Sequence, residues 1–422
     1  MQFIINLFFF FSLNPFFSPF PILNTDSTPV AHGISLLTIV LLLINKKTIF
    51  INKPAFVLMI FGLISFFFIL PEGIFELRYR VGVLGGFLIY WFSTNFLLQF
   101  RFNILRVSIL FHTFFVCFHY FLPSYFLPIG NLFVRTIKLK RDDMVGFFDL
   151  NGRGASGFAS ENSFAAVLGI VYIILLYWFY KRKIISKEVL IKYAIISCIP
   201  ILLSFSASGI FIAILLALIF CTSKLILFLY KKNSFLINSK TLKALIISLI
   251  FIVPTLIILN NVFGSTRGFL LLINVFNNPK YFILDSSIAD RLVGISIGFL
   301  SLFHFPFGLG GGSYPVVAQY IDNLYGITSI FVSPNLIEAG PLKDTVSSFG
   351  KYSSEFGLIF ISTYCYLFYF SNKNINIYKI IASTLSFLLI LQSFSILFPP
   401  TYLLLATCIL KEKPNSKNSV IE

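Results

Sequence analysis

Residues 162–180, NSFAAVLGIVYIILLYWFY, form an apolar run without a charged side chain. Because a helix that crosses a bilayer needs about 20 mostly apolar residues, this run predicts a membrane-spanning α-helix. It follows directly on a stretch of opposite character, NGRGASGFASENS at 151–163, in which three glycines accompany one arginine and one glutamate. The sequence therefore predicts a membrane helix with a polar, glycine-rich segment at its entrance.

The composition extends this prediction to the whole chain. Its 422 residues are 57% hydrophobic and 11% charged, whereas soluble domains carry about 25% charged residues. We therefore expect an all-α fold, a polytopic membrane bundle in which residues 1–422 form one domain. The first apolar run lacks the basic residues and cleavage site of a signal peptide, so we count it as a retained helix. Runs of membrane length predict about twelve spans, at residues 3–20, 30–45, 55–70, 81–99, 107–127, 162–180, 189–205, 209–229, 244–260, 357–370, 380–397 and 399–411.

The formal net charge of +16 is distributed unevenly over the connections between these spans. With the N-terminus inside, the cytoplasmic side holds 20 of the 32 basic residues but only three of the 16 acidic ones. Cytoplasmic loops of membrane proteins carry such an excess of Lys and Arg. The charge thus predicts cytoplasmic N- and C-termini, and it does not indicate a nucleic-acid partner. The five cysteines lie singly in apolar runs, which favours buried apolar roles over metal or redox chemistry.

Two long connections, residues 128–161 and 261–355, lie on the predicted outer side. Long connections are often functional, and the aromatic residues in both argue against disorder. In the second connection, Ser287 followed by Asp290 is typical of a helix start. The apolar stretch that follows is too short to cross a bilayer, so we expect an interfacial or re-entrant helix near 287–305. A glycine-dense turn around Gly310 comes next, where the backbone can approach a ligand closely or simply turn.

Two arginines in these connections are candidates for binding an anion. Glycines flank Arg153 and leave its guanidinium free to contact phosphate oxygens, although an arginine that reaches lipid headgroups has the same surroundings. Arg291 lies in the second glycine-rich connection, and the pair favours an anionic substrate. Within the predicted spans, His112 and His119 lie seven residues apart on one helical face. We expect them to be hydrogen-bonded between helices, with a proton relay as the alternative.

The order of these features resembles the superfamily of Wzy-like O-antigen polymerases and WaaL-like O-antigen ligases. GRGASGFASENSFAA at 152–166 resembles the arginine-glycine block that opens a central helix in that family. SFSASGIFIAILLAL at 204–218 resembles its serine-glycine helix, although small residues also serve simple helix packing. SSIADRLVGISIGFLSLFHFPFGLGGGSYP at 286–315 resembles the arginine, helix and glycine segment of its large outer loop. SSFGKYSSEFGLIFI at 347–361 resembles the Glu-x-Gly entry to the next span, and these blocks follow one another in the expected order over 210 positions, from residue 152 to residue 361.

The chain departs from the ligase branch of that superfamily at one position. The ligases carry a histidine just before the Glu-x-Gly entry, whereas residues 342–357 contain none. The outer connections hold one histidine, His304, further upstream. Ser163 also replaces the proline that the family pattern places after Asn162. The missing histidine favours the polymerase branch.

The resemblance implies a GT-C-like bundle that transfers glycosyl groups on the outer face of the bacterial cytoplasmic membrane. The implied partners are undecaprenyl-diphosphate-linked oligosaccharide, membrane lipid and a chain-length regulator, with no cofactor. Outside the adjacent Asp142 and Asp143, the outer connections have no acidic cluster, so we expect no metal. Arg153 and Arg291 are the candidates for diphosphate contacts, and Glu161 ranks first as the catalytic base, before Asp290 and Glu355. The substrate-binding candidates are Arg267, Arg141, Asp290, Gly310, Tyr314 and Glu355.

Three other functions stay open at this point. An O-antigen ligase would share the family pattern. A transporter or flippase of lipid-linked sugars would place ionisable residues within its spans. A purely structural subunit would not need arginines in glycine-rich outer connections.

Overall fold

The structure is a computed structural model that describes residues 1–17, 30–68, 77–133, 154–159, 162–206, 209, 212–220, 222, 286–331, 347–372, 376–392 and 398–409. These residues form helices joined by turns, without a β-sheet, which confirms the all-α prediction. The helices are α1 (Gln2–Leu13), α2 (Val30–Ile44), α3 (Lys53–Phe67), α4 (Leu77–Phe96), α5 (Phe102–Phe121), α6 (Pro123–Phe133), α7 (Asn162–Lys181), α8 (Lys187–Leu203), α9 (Ser286–His304), α10 (Tyr314–Tyr325), α11 (Ile327–Phe331), α12 (Ser348–Ser371), α13 (Ile377–Gln392) and α14 (Pro399–Ile409). Residues 212–220 are also helical.

Among the described residues, two helices, α5 and α7, are long and apolar enough to cross a membrane. Each has 20 residues, which at 1.5 Å per residue corresponds to about 30 Å, the thickness of the hydrocarbon core. The part of the chain that the structure describes also has six shorter apolar helices, namely Gln2–Leu13, Val30–Ile44, Lys53–Phe67, Val83–Gln99, Ile377–Leu391 and Pro399–Ile409. The predicted span at 244–260 lies outside the described residues, and the count of twelve spans stays a prediction.

Local chemistry explains where helices end differently from the predicted spans. Helix α1 ends at Leu13 rather than at residue 20, because Pro15 follows the C-cap Asn14 and cannot continue the hydrogen-bond ladder. Helix α12 begins at Ser348, earlier than the predicted start at residue 357, because Ser347 caps it by accepting the Gly350 N–H. Gly357 is nevertheless a boundary, since its φ of 54° and ψ of −132° interrupt the helix there.

One end of the bundle is basic, and we call it the basic end. The Trp91 indole and the Asn95 amide both donate to the Phe50 carbonyl, which joins the start of α3 to the end of α4. Phe100 packs on Phe179 with ring centroids 5.2 Å apart, which brings the end of α7 alongside. The exposed basic residues at these connections are Lys46, Lys47, Lys53, Arg101, Lys181, Arg182, Lys183 and Lys187.

The opposite end of the bundle is closed by a layer of helices, and we call it the covered end. Helix α3 starts at the basic end and extends about 22 Å to Phe68, whose carbonyl accepts the Gly311 N–H at 2.9 Å. At the other side of the layer, the Ser347 hydroxyl donates to the Leu391 carbonyl near the end of α13, at 2.6 Å. Helix α9 and the first part of α12 therefore lie between the outer ends of α3 and α13.

Small residues pack α9 and α12 together as a parallel pair. Gly294, Gly298 and Ser301 form a stripe on α9, which we call the glycine–serine stripe, because these positions lie on one helical face. Gly294 and Gly298 meet Gly350, and the Ser354 hydroxyl donates to the Ser301 hydroxyl at 3.3 Å. The absence of side chains at the glycines lets the two backbones approach closely.

The close packing of this pair makes the stability sensitive to a single methyl group. A Cβ atom at Gly350 would overlap the Gly294 backbone, closer than the 3.0 Å that real Cβ contacts respect. We expect Gly350→Ala to lower the free energy of unfolding by about 1–3 kcal/mol, the usual penalty of overpacking. Gly33→Ala is the matched control, because a Cβ at Gly33 meets nothing within 4 Å. Thermal unfolding in detergent measures both, and equal melting temperatures would contradict the packing argument.

Candidate functional site

The candidate site is built around the interruption of α12 at Gly357. A helix break frees backbone groups that need new partners, because buried N–H and C=O groups are nearly always hydrogen-bonded. The turn after α9 supplies both partners: Gly310 N–H donates to the Glu355 carbonyl at 2.8 Å, and Leu358 N–H donates to the Pro306 carbonyl at 2.7 Å. The glycine-dense turn is therefore required by the helix that it contacts.

Three glycines make this contact sterically feasible. Gly308, Gly310 and Gly357 all have positive φ values, of 71°, 98° and 54°, in the region that other residues rarely adopt. A Cβ on Gly308 would overlap the Glu355 carbonyl, and a Cβ on Gly357 would overlap the Pro306 carbonyl. The sequence pattern that suggested close approach to a ligand thus has a structural role, the close approach of two backbones.

Glu355 itself contributes its side chain to the same contact. Its carboxylate oxygen Oε1 accepts the Gly312 N–H at 3.0 Å, and only 1% of the residue is exposed. Tyr314, the first residue of α10, is equally buried, and one residue separates it from Gly312. The structure therefore brings together three of the predicted substrate-binding residues, Gly310, Tyr314 and Glu355. The burial of Glu355 favours a role in holding the turn.

The predicted residues Asp290 and Arg291 lie at the start of α9, and both are half-buried. Arg291 occupies the helical position seven residues before Gly298, so it lies on the face that packs against α12. Both residues make interactions in the structure and are held in place. A permanently charged guanidinium is thus fixed within the layer at the covered end. Arg141, Arg153, Glu161 and Arg267 lie outside the described residues, so the predicted convergence of Arg153 with Arg291 stays a prediction.

Lys351 was missed as a site residue in the sequence analysis. It is 6% exposed and lies one helical turn before Glu355, in the first turns of α12. A buried lysine is expensive unless it serves an interaction, and the positive end of the helix dipole makes this position less favourable still. The sequence does contain a sign of this position, because Lys351 lies four residues before Glu355 and residues four apart share one face of a helix.

The two histidines of α5 are hydrogen-bonded, as predicted. His112 Nε2 lies 3.1 Å from the Ala165 carbonyl oxygen, and His119 Nδ1 accepts the backbone N–H groups of Ser156 and Gly157, each at 3.2 Å. His304, in the covering layer, lies with Nε2 2.8 Å from the Tyr325 hydroxyl. All three rings therefore bind neighbouring parts of the chain.

The covering layer presents a row of exposed aromatic residues. Phe303 is 71% exposed and Phe307 69%, and Phe299 lies one turn earlier on the same helix. Phe67 and Phe68 at the end of α3 are exposed as well, and the Phe68 carbonyl contacts the glycine turn. Exposed aromatic residues are common at the lipid–water interface of membrane proteins.

Comparison with protein-family models, curated proteins and solved structures finds no match to the chain.

The contact between Gly308 and Glu355 can be tested with a pair of alanine substitutions. Gly308 and Gly326 have similar positive φ values, of 71° and 61°, so alanine is strained at both. Only at Gly308 would the new Cβ overlap a carbonyl oxygen, whereas at Gly326 it would lie 3.1 Å from the flexible Ser329 hydroxyl. We expect Gly308→Ala to destabilise the protein by about 1–3 kcal/mol more than Gly326→Ala. Chemical or thermal unfolding in detergent measures the difference, and a larger loss for Gly326→Ala would contradict this account of the turn.

Proposed function

We propose that the protein is a Wzy-like polysaccharide polymerase, a glycosyltransferase that joins oligosaccharide units carried on undecaprenyl diphosphate. The reaction would take place on the outer face of the bacterial cytoplasmic membrane, and the product would be an O-antigen- or capsule-type polysaccharide. Two membrane-length helices and the order of the family-like sequence blocks support this proposal.

The observation that carries the proposal is the position of Arg291. Its guanidinium belongs to the helix layer at the covered end, apart from the exposed lysines and arginines of the basic end. Basic connections favour the cytoplasmic side, which supports an outward position for the covered end and cytoplasmic termini. A fixed cation at the outer level of the membrane suits a lipid-linked diphosphate, because its fork of N–H donors matches phosphate oxygens.

The proposed reaction requires charge stabilisation and a proton acceptor. A hydroxyl oxygen of the incoming unit attacks the anomeric carbon of the growing chain, and the bond from that carbon to the diphosphate oxygen breaks. The diphosphate leaves with the bonding electrons, and we assign Arg291 and Arg153 to stabilise its charge. The hydroxyl proton passes to a carboxylate, for which we retain Glu161 first and Asp290 second. Glu355 ranks behind them because its carboxylate is buried against Gly312.

The alternative functions fit the described residues less well. A proton-coupled transporter needs titratable groups free to exchange protons within the membrane. In α5, His112 and His119 are instead engaged with backbone groups. The ligase alternative lacks its histidine before the Glu-x-Gly entry, and His304 contacts Tyr325 within the covering layer. These observations favour the polymerase.

Purified protein and lipid-linked repeat units test the proposal directly. We expect chain lengthening in detergent without a nucleotide sugar, and we expect Arg291→Gln to reduce the rate about 100-fold, because one charge contact to a leaving group contributes about 3 kcal/mol. Arg106→Gln, at an exposed arginine near the basic end, is the matched control and should retain the wild-type rate.

Gene deletion separates the polymerase from its alternatives. Surface polysaccharide should collapse from a ladder to single repeat units in the deletion strain. Long chains that stay on the lipid carrier would instead identify a ligase. Translocation of lipid-linked units into vesicles, without lengthening by the purified protein, would identify a transporter.

Substitutions of Glu355 distinguish a base from a residue that holds the turn. Glu355→Gln keeps an acceptor oxygen for the Gly312 N–H, so we expect it to retain wild-type stability and at least about one third of the polymerisation rate. Glu355→Ala leaves that N–H buried without its acceptor and should lower the free energy of unfolding by about 1–3 kcal/mol. A loss of activity by 100-fold or more in a stable Gln variant, the range of general-base catalysis, would restore Glu355 as the base.

A further inference from the structure

His119 occupies an unusual position at the covered end, between the end of α5 and the turn at residues 154–159. Its Nδ1 atom accepts two consecutive backbone N–H groups, those of Ser156 and Gly157, at 3.2 Å each. Because Nδ1 accepts, the ring is neutral and carries its proton on Nε2. The residue is 4% exposed, and its ring stacks on Phe126 with centroids 4.6 Å apart.

The turn that His119 holds is itself buried and tightly confined. Gly157 has a φ of 57°, and a Cβ there would lie 2.8 Å from the Val116 side chain on α5. Ala155 N–H donates to the Leu203 carbonyl at the end of α8, at 2.9 Å, and a Cβ on Gly154 would overlap the same carbonyl. The turn therefore joins the ends of α5 and α8 immediately before the start of α7.

Ring packing alone does not account for a histidine at this position. Phenylalanine surrounds the turn, since Phe158 contacts both Phe115 and Phe126, and a phenylalanine at position 119 would stack equally well. Only the acceptor atom satisfies the two N–H groups, which are directed to one point by the turn. Two donors without an acceptor in this apolar surrounding would open the turn to find water.

We propose that His119 is a positioning residue for polymerisation, because it fixes the turn at residues 154–159, which follows Arg153 directly in the sequence. This inference rests on the proposed function, in which Arg153 stabilises the charge of the leaving diphosphate. A cation that acts mainly in the transition state must be held in the correct place, and a displacement of about 1 Å can reduce the rate about 100-fold. His119 touches neither substrate in this scheme and acts through the backbone of Ser156 and Gly157.

Two substitutions separate the acceptor from the ring. His119→Phe keeps the aromatic stacking on Phe126 and removes the acceptor, whereas His119→Asn removes the ring and keeps an oxygen close to the Nδ1 position. We expect the Phe variant to lose kcat about 100-fold with KM changed less than about threefold. The kcat of the Asn variant should be at least about tenfold higher than that of the Phe variant. Any result in which the Asn variant fails to exceed the Phe variant overturns the proposal.

Amide hydrogen exchange supplies a readout that does not depend on catalysis. With the purified protein in detergent, the amides of residues 154–159 should exchange about 10- to 100-fold faster in the Phe variant and near the wild-type rate in the Asn variant. Unchanged exchange in the Phe variant overturns the holding role of His119. Wild-type exchange at residues 102–110 of α5 shows that the variant is folded. Should the wild-type protein lengthen no chains, the proposed function has failed, and the exchange experiment still decides whether His119 holds the turn.

His112 provides a control within the same helix. It is buried like His119, but its Nε2 faces the Ala165 carbonyl on α7 rather than an N–H group of the turn. We expect His112→Phe to leave the exchange of residues 154–159 at the wild-type rate. Faster exchange there in this variant would show that the turn responds to any change in α5, which also overturns the specific role of His119.

Discussion

The covering layer depends on the hydrogen bonds that the backbone of the turn after α9 makes with α12 around Gly357. Helix α12 gives up its own hydrogen bonds at this glycine, and Pro306 and Gly310 take them over. A layer held in this way cannot shift along α12 without leaving buried polar groups unpaired. The positions of α9 and of Arg291 at its start follow from this contact together with the packing of the glycine–serine stripe on α12. The electrostatics of the covered end therefore depend on glycines that carry no charge.

The sequence predicted the helical architecture well because hydrophobic length is a local property. The apolar run at 162–180 became α7, and the helix predicted near 287–305 was found at Ser286–His304. The sequence predicted helix ends poorly where residues distant in the sequence determine them. The extent of α12 depends on Ser347 and on Pro306, which no apolar run reports. Pro15, by contrast, was visible in the sequence and could have ended the first predicted span.

The candidate site was predictable in composition but not in the roles of its members. The glycine turn and Glu355 were recognised, and the structure brings them together. Their contact is mainly one backbone with another, whereas the sequence suggested a surface for a ligand. Lys351 and the acceptor role of His119 escaped prediction because burial and hydrogen-bond direction are tertiary properties. A sequence shows which polar residues have an unfavourable free energy of burial, whereas the packing decides which partner groups compensate for it.

The parallel arrangement of α9 and α12 has a consequence for how the chain matures. Ser301 and Ser354, which meet across the pair, are 53 residues apart in the sequence. At the usual speed of synthesis, α9 leaves the ribosome a few seconds before its partner exists. During that interval its glycine–serine stripe has no helix to contact. The covering layer can therefore close only after α12 has been made.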